Sequence, residues 1–394
     1  MAVVTFSITA LSVPNEDGLI NTNVLREVSF ESPSVVRETV GIVVLNSHGT
    51  KPAERYLVPV RKSMHDKLGY LRASERKSKT PLDVLRADYD EKEGIQYYEV
   101  RLTNPLQPGE KISINVQYAF VRALKASPAR TSMFDEPSWI WIGNAYADLA
   151  YPTKKVKTVI LALASEDGKA SVREYSKRPE PVSHERAGHI VYGPYKDIQP
   201  MQSEEISVRI SSAQPNIRAY SHRREIHISH WGNNLNVLEH YHLHNDAPEL
   251  DGPFDKVGQQ LATMQMKPHN AILGLPVRLP LLAHNLYFVD EIGNVSTSAV
   301  HLTPDRLTRF MRLSPRYPLL GGWNYTWWHS YDIPLDSVLR WDPVDGRYSL
   351  KVPFFAGILD ASVDDFELQI VLPEGATDAS VILPFEVDER SKRS

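Results

Sequence analysis

The chain has 394 residues, more than one hydrophobic core usually covers, and this length predicts two domains of roughly 200 residues each. Its 42% hydrophobic content, 23% charged content and 28 prolines exclude a disordered chain and favour a globular protein rich in strands and turns. The net charge of −4, with Lys and Arg scattered along the chain, excludes a basic nucleic-acid surface. The absence of cysteine excludes disulfides, thiol catalysis and iron–sulfur clusters.

The first half of the sequence has the pattern of a series of short strands separated by turns. Runs of β-branched residues such as Thr39–Leu45, Ile112–Tyr118 and Glu205–Ile210 are separated by turn-forming Pro, Gly and Asn. Helical periodicity is weak, and Met64–Arg76 and Pro81–Tyr89 are the two short helix candidates. Residues 1–18 are interpreted as an N-terminal extension, and residues 19–213 as a first β domain. No run of about 18 apolar residues occurs, so no membrane-spanning helix is predicted.

A polar segment near mid-chain, Ser211–Arg218, is interpreted as a linker between two β domains. After it, Arg224–Asn245 faintly repeats Arg26–Asn46. Each begins with Arg-Glu and a β-branched residue, crosses a turn and ends in an alternating strand closed by asparagine. Either a tandem duplication or two ordinary hairpins explains this pattern. The fold class expected is mainly β, with two tandem antiparallel β-sandwich-like domains and few short helices.

Strand signals continue in the second half. They include Leu286–Val289, Asp365–Leu372 and, after a Pro-Glu-Gly turn, Ser380–Leu383. A charged tail follows and ends at Ser394. We expect residues 214–394 to form the second β domain, apparently truncated at its C-terminus.

Three histidines at alternate positions, His240, His242 and His244, would share one face of a strand, as a metal site requires. The opposite face of this strand is apolar, which makes the histidine face the solvated side of a half-buried strand. That interpretation is favoured, and no metal site and no cofactor are predicted.

Two triplets have the N-glycosylation pattern, at Asn294-Val-Ser296 and Asn324-Tyr-Thr326. Both are candidate acceptors if the chain enters the secretory pathway, and the alternative is two unmodified surface loops.

An aromatic cluster contains Trp323, Trp327 and Trp328 within six residues. Burial in a core is the favoured interpretation, and an exposed docking patch is the alternative. No Gly-x-Ser-x-Gly elbow, phosphate loop or His-Glu-x-x-His motif occurs, so no catalytic residues are predicted.

The string Leu286-Tyr-Phe-Val-Asp-Glu-Ile-Gly-Asn-Val-Ser-Thr-Ser298 resembles the ribophorin I family, subunit 1 of the oligosaccharyltransferase complex. Ser314–Trp323, Ile228–Gly232, Tyr192–Asp197 and Val371–Ala376 resemble the same family in order and spacing. The resemblance covers residues from about 19 to 385. The family's signal peptide and C-terminal membrane helix do not appear in this sequence.

The resemblance implies two lumenal β domains in a non-catalytic accessory subunit. It also implies an endoplasmic-reticulum location on the lumenal face of the membrane, catalytic and accessory subunits as partners, and membrane contact through the complex or through a missing helix. Nascent polypeptides are further candidate partners. In the family, a glycan acceptor matches Asn294. Two alternatives remain open: a metal-binding enzyme at the three histidines, and a free lumenal binding protein.

Overall fold

The computed structural model describes residues 18–391, except 134, 162–171, 185–188, 213, 266–270, 297, 303–308, 360, 384 and 386. The described residues divide into two compact units. One contains residues up to 214 together with 257–269, and the other contains residues 215–256 and those from 270 onward. Strands dominate both units, which confirms the predicted mainly β fold class.

Before the mid-chain segment, the described residues contain one short helix, α1 (Lys62–His65). The strands of this part are β1 (Leu19–Ser32), β2 (Val35–Asn46), β3 (Ala53–Arg61), β4 (Leu68–Glu75), β5 (Pro81–Leu82), β6 (Val84–Asp90), β7 (Ile95–Leu106), β8 (Lys111–Val121), β9 (Leu124–Ala126), β10 (Arg130–Thr131), β11 (Ser138–Asn144), β12 (Thr153–Leu161), β13 (Val172–Tyr175), β14 (Val182–His184), β15 (Ile190–Ile198) and β16 (Glu205–Ser211).

The remaining elements begin after the mid-chain segment. They are β17 (Ile217–Ser229), β18 (Asn234–Asn245), β19 (Glu249–Leu250), α2 (Lys256–Met264), β20 (Leu275–Leu279), β21 (His284–Asp290), β22 (Gly293–Asn294), β23 (Ala299–Leu302), β24 (Arg309–Leu313), β25 (Asn324–Pro334), a 3-10 turn (Leu335–Ser337), β26 (Leu339–Asp342), β27 (Arg347–Leu350), β28 (Ala361–Val363) and β29 (Phe366–Val371). Neither α-helix of the described part is long and apolar enough to span a bilayer.

The two units have the same strand order at their centres. The large sheet of the first unit includes β12-β1-β2-β8-β4-β5, and that of the second includes β28-β17-β18-β25-β21-β22, with β29 also beside β17. A smaller sheet, β3-β7-β6 in one unit and β20-β24-β23 in the other, repeats a second order. Strand order therefore agrees with the duplication that the faint sequence repeat suggested.

The first hairpin of each unit also carries a β-bulge at the same place. In β1 the bulge is at Thr22, four residues before Arg26. In β17 it is at Tyr220, four residues before Arg224. A bulge shifts the side chains that follow it to the opposite face, so a shared bulge keeps the two arginines equivalent.

The asparagine that ends each repeat is buried and has the same role in both units. The side-chain amide of Asn46 donates to the Leu106 carbonyl at 2.8 Å, and that of Asn245 donates to the Leu319 carbonyl at 3.0 Å. Each side-chain oxygen accepts the backbone N–H two residues later, at 2.9 and 3.2 Å respectively. Because a buried amide without partners is costly, these bonds explain why asparagine closes both strands.

A buried arginine–glutamate pair joins the two strands of each hairpin. Arg26 donates to Glu38 from Nε at 2.9 Å and from Nη2 at 2.7 Å, in the bidentate geometry. Arg224 on β17 forms a similar pair with Glu239, which lies directly opposite it on β18, whereas Glu38 lies two residues before the position opposite Arg26. All four side chains are at most 8% exposed, so each charge depends on its partner rather than on water.

The same arginines also reach backbone carbonyls that are distant in sequence. Arg26 Nη1 donates to the Asn144 carbonyl at 2.5 Å, and Arg224 Nη1 lies 3.4 Å from the Ala356 carbonyl. Each arginine thereby ties the first hairpin of its unit to a segment more than 100 residues away.

Three local predictions were wrong. Most of Met64–Arg76 is strand β4 and most of Pro81–Tyr89 is strand β6, whereas α1 is a single turn. These strands pair with β8 and β7, and tertiary pairing overrides weak local propensity. Ser380–Leu383 is not a strand: a strand needs a neighbour, and the Ile382 side chain points into solvent.

Two further features lay outside the expectations. The large sheets are not wholly antiparallel, because β12 runs parallel to β1, and both β28 and β29 run parallel to β17. Helix α2 was not predicted. The domain limits 1–18, 19–213 and 214–394 stay predictions, and residues 1–17 lie outside the described part.

Replacing Glu38 with Gln should lower the free energy of unfolding by about 3 kcal/mol, because the variant leaves the Arg26 guanidinium buried without a counter-charge. Urea unfolding followed by tryptophan fluorescence measures this loss. The control is Arg101→Ala, which removes a more exposed pair with Glu99 and should cost less than about 1 kcal/mol. Equal losses in the two variants would contradict the importance assigned to the buried pair.

Candidate functional site

The first glycosylation triplet lies on a tight turn between β21 and β22. Asp290 at the end of β21 accepts the backbone N–H groups of Ile292 and Gly293, at 3.0 and 3.1 Å. Gly293 has φ of 140°, a value that side-chain-bearing residues rarely adopt. The Asp-Glu-Ile-Gly sequence therefore forms a turn stabilised by its own aspartate, and the turn leads directly into Asn294.

Two side chains hold Asp290 in position. Arg316 donates from Nε to Asp290 Oδ2 at 2.9 Å and from Nη2 to Oδ1 at 3.0 Å. The Tyr325 hydroxyl donates to Oδ2 at 3.1 Å. The Arg316 hydrogen bonds, outweighing the opposing effect of burial, lower the pKa of the Asp290 carboxyl below its ordinary value. The turn is thus anchored to the start of β25 and to the segment before it.

This anchoring leaves Asn294 exposed while its neighbour is buried. Val295 belongs to the hydrophobic core, and its N–H donates to the Phe288 carbonyl at 2.9 Å. Asn294 and Ser296 are exposed on either side of it. The asparagine of this triplet therefore lies on a hydrogen-bonded and solvent-accessible turn.

The second triplet lies in strand β25, where two histidines contact its polar side chains. Asn324 Oδ1 is 2.6 Å from His244 Nδ1, and Thr326 Oγ1 is 3.2 Å from His242 Nδ1. Cross-strand pairing places each histidine directly opposite its partner. Asn324 is exposed, and its side-chain nitrogen takes no part in the 2.6 Å contact.

The structure places His240, His242 and His244 on one face of β18, partly or fully exposed. Each contacts a different group: His240 lies 3.8 Å from Glu225, and His244 lies 3.4 Å from Asp246. Among the described residues, no group of three or more His, Asp or Glu side chains is arranged to hold a metal ion.

The three tryptophans of the aromatic cluster differ in environment. Trp327 is 1% exposed and stacks on Tyr241 with ring centroids 4.7 Å apart. Trp328 points to the opposite face, is partly exposed, and has its ring 6.3 Å from that of His240. Trp323 is also partly exposed and contacts Phe254, with ring centroids 5.9 Å apart. Trp327 is thus a core residue, and the other two retain accessible surface.

Sequence reasoning missed a buried polar cluster around Glu239. The His222 Nε2 atom is 2.5 Å from Glu239 Oε2, and the other carboxylate oxygen binds Arg224. His329 accepts a hydrogen bond from the Trp327 indole at 3.3 Å. Burial, with repulsion from His222 and Arg224, lowers the pKa of His329 to about 3. One feature of the sequence could have indicated this cluster: His222 and Arg224 are polar residues at alternate positions of a predicted strand, on the side expected to face the core.

The family model described as ribophorin I matches residues 19–394. The chain belongs to the ribophorin I family. It is 28% identical over 376 residues to the dolichyl-diphosphooligosaccharide–protein glycosyltransferase subunit 1 of Caenorhabditis elegans, covering 95% of this chain and 61% of that protein. It is 30% identical over 396 residues to subunit 1B of Arabidopsis thaliana, covering 98% and 81% respectively.

Solved structures add nothing to this assignment. Yeast LTA4 hydrolase aligns with 56% of the chain and 34% of its own length, at 9% identity and a TM-score of 0.30. Similarity at this level carries no argument about activity. The ribophorin I match confirms the family resemblance that the Leu286–Ser298 string indicated.

Replacing Asp290 with Asn should destabilise the protein by about 2 kcal/mol at neutral pH, because the charge-assisted bonds from Arg316 are lost. The folded-state pKa of Asp290 is lowered, so its contribution is full above the unfolded pKa of about 3.9 and disappears as pH falls through the lower folded value. Unfolding free energies measured from pH 7 down to about pH 2 would show the difference between the two proteins shrinking at the acidic end. Asp342→Asn is the control, since Asp342 accepts the Val344 N–H at 2.9 Å on an exposed hairpin.

His329 should make stability depend on pH. The folded pKa of about 3 lies below the unfolded value of about 6.5, so the unfolded chain binds the extra proton between these values and stability falls as pH decreases through this range. His329→Gln should flatten the dependence by up to about 1.4 kcal/mol per pH unit. Urea titrations at several pH values measure it, with the exposed His301→Gln as control. An unchanged slope in His329→Gln would count against neutral burial of this histidine.

Proposed function

We propose that this chain is an accessory subunit of the oligosaccharyltransferase complex, supporting transfer of lipid-linked oligosaccharide to asparagine of nascent proteins. The main support for this proposal is the match to the ribophorin I family model over residues 19–394. The relatives named as subunit 1 support the same assignment. The chain spans 61% of the length of the Caenorhabditis elegans relative. For this chain, we therefore propose the activity and partners of that whole protein.

The proposed role is physical and not catalytic. The buried charged groups described above are used to join strands: Arg26 with Glu38, and Arg224 with Glu239. Rigid sheets beside a catalytic subunit would hold neighbouring subunits, or nascent chains, near the acceptor site. This raises their effective concentration without contact with the reacting atoms.

The proposed location is the lumenal face of the endoplasmic reticulum, with membrane contact through the complex. Two observations fit a lumenal chain: Asn294 and Asn324 are both exposed, and Asn294 is presented on a turn stabilised by Asp290. We include N-glycosylation of both asparagines in the proposal. The catalytic and other accessory subunits are the proposed partners.

The test is affinity purification of the tagged full-length gene product from its own cells in a mild detergent. The catalytic subunit should co-purify, and glycan transfer to an acceptor peptide should be found in that fraction and not with the isolated chain. Arg101→Ala is a matched surface variant that should co-purify equally well. A chain that elutes alone would favour a free lumenal binding protein, and transfer by the isolated chain would overturn the non-catalytic role.

A further inference from the structure

The asparagine side chains of both Asn-x-Ser/Thr triplets project from the same face of the large sheet of the second unit. In the sheet register, Asn294 on β22 is opposite Val289 on β21, and Val289 is opposite Trp328 on β25. Directly paired residues project to the same face. Asn324 is four residues before Trp328 on the same strand, and an even spacing keeps both on one face.

Burial supports this assignment of faces. The residues beside these positions, Phe288, Val295 and Trp327, belong to the core of the unit. Asn294 and Asn324 are exposed, so they occupy the side of the sheet that faces away from that core, where Val289 alone of the positions in this register is buried. We call this side the outer face.

Trp328 lies on the outer face within reach of both candidate acceptors. Strands are spaced by about 4.8 Å, which puts Trp328 about 10 Å from Asn294 across two strands. A rise of about 3.3 Å per residue puts it about 13 Å from Asn324 along β25. Both asparagines are therefore within a few sugar residues of the same indole ring.

The outer face has the chemistry that accepts a sugar ring. Trp328 neighbours His240, and Tyr220 stacks with His242 at a centroid distance of 5.9 Å. The C–H bonds of a pyranose ring are weakly positive and pack on the negative face of an aromatic ring, while imidazole nitrogens exchange hydrogen bonds with hydroxyl groups.

Attachment at Asn324 is compatible with its cross-strand contact. The glycosidic bond forms between Asn Nδ2 and the anomeric carbon of the first sugar, as Nδ2 loses one proton and the lipid diphosphate of the donor leaves. The contact with His244 uses Oδ1, at 2.6 Å, and therefore survives the reaction. It would hold the side-chain amide in a fixed orientation on the sheet.

We propose that N-linked oligosaccharides on Asn294 and Asn324 share the outer face, with Trp328 as the aromatic surface on which they pack. This inference rests on the proposed entry of the chain into the lumen. A face covered by two glycans faces solvent, so the partners of this unit bind elsewhere on it.

The first test measures occupancy and protection on the full-length glycoprotein purified from its own cells. Mass spectrometry of glycopeptides should find sugar on both asparagines, and Thr326→Ala should remove it from Asn324 whereas Thr326→Ser should retain it. In the folded protein, an amidase that cleaves the glycan–asparagine bond should act more slowly than after denaturation. An unoccupied Asn324 would overturn the shared face.

The second test removes the aromatic surface. Trp328→Ala should speed amidase release from the folded protein by about fivefold, because stacking on the indole is lost. Trp328→Tyr, which keeps an aromatic ring, should stay close to the unsubstituted protein even if the alanine variant folds poorly. Trp341→Ala is the matched control, since Trp341 is half-exposed on the β26–β27 hairpin. Equal release rates in all four proteins would exclude packing on Trp328.

The third test compares the isolated chain with the affinity-purified complex. Glycans that face solvent should be released at the same rate in both. Strong protection on assembly would show that the outer face is an interface and would overturn this part of the inference. Failure to co-purify any partner would instead count against the proposed complex and leave the glycan result intact.

Discussion

The buried arginine–glutamate pair in the first hairpin of each unit is the interaction on which the surrounding structure depends. Removing two charges from water is expensive, and only close pairing with further hydrogen bonds offsets that cost. Arg26 and Arg224 meet this condition by binding a glutamate on the neighbouring strand and reaching a backbone carbonyl far along the chain. Register, bulge position and the packing of a distant segment are therefore coupled. If the register of the hairpin shifted by one residue, the arginine would be exposed to solvent or buried without its glutamate.

The two units conserve this arrangement while their cores differ. Both place a bulge four residues before the arginine and close the second strand with a buried asparagine. In the second unit, His222 and His329 lie in the interior near the pair, and burial lowers the pKa of His329. The two units thus share one strand order but have different side chains in their cores. This is expected when hydrogen-bonded geometry constrains a fold more tightly than core composition does.

The Asn294 turn shows how a local sequence and a tertiary contact combine. Asp290 and Gly293 are sufficient for a turn of this type, and both are visible in the sequence. Arg316 and Tyr325 fix the turn to the sheet, and neither could be assigned to it from spacing. The string Leu286–Ser298, which indicated the family, therefore encodes a strand with a buried end, an anchored turn and an exposed asparagine in succession.

The sequence by itself determined the mainly β class, the solvated histidine face, the faint repeat and the family, because strand alternation and a long specific string are local properties. It gave wrong answers for β4 and β6, where weak local propensity yielded to pairing with distant strands. Only the tertiary structure separated buried Trp327 from Trp328, brought Glu239 to His222, and left the asparagines of both Asn-x-Ser/Thr triplets exposed. These facts depend on sheet register between segments remote in sequence, and register is decided by burial and hydrogen bonding across the whole unit.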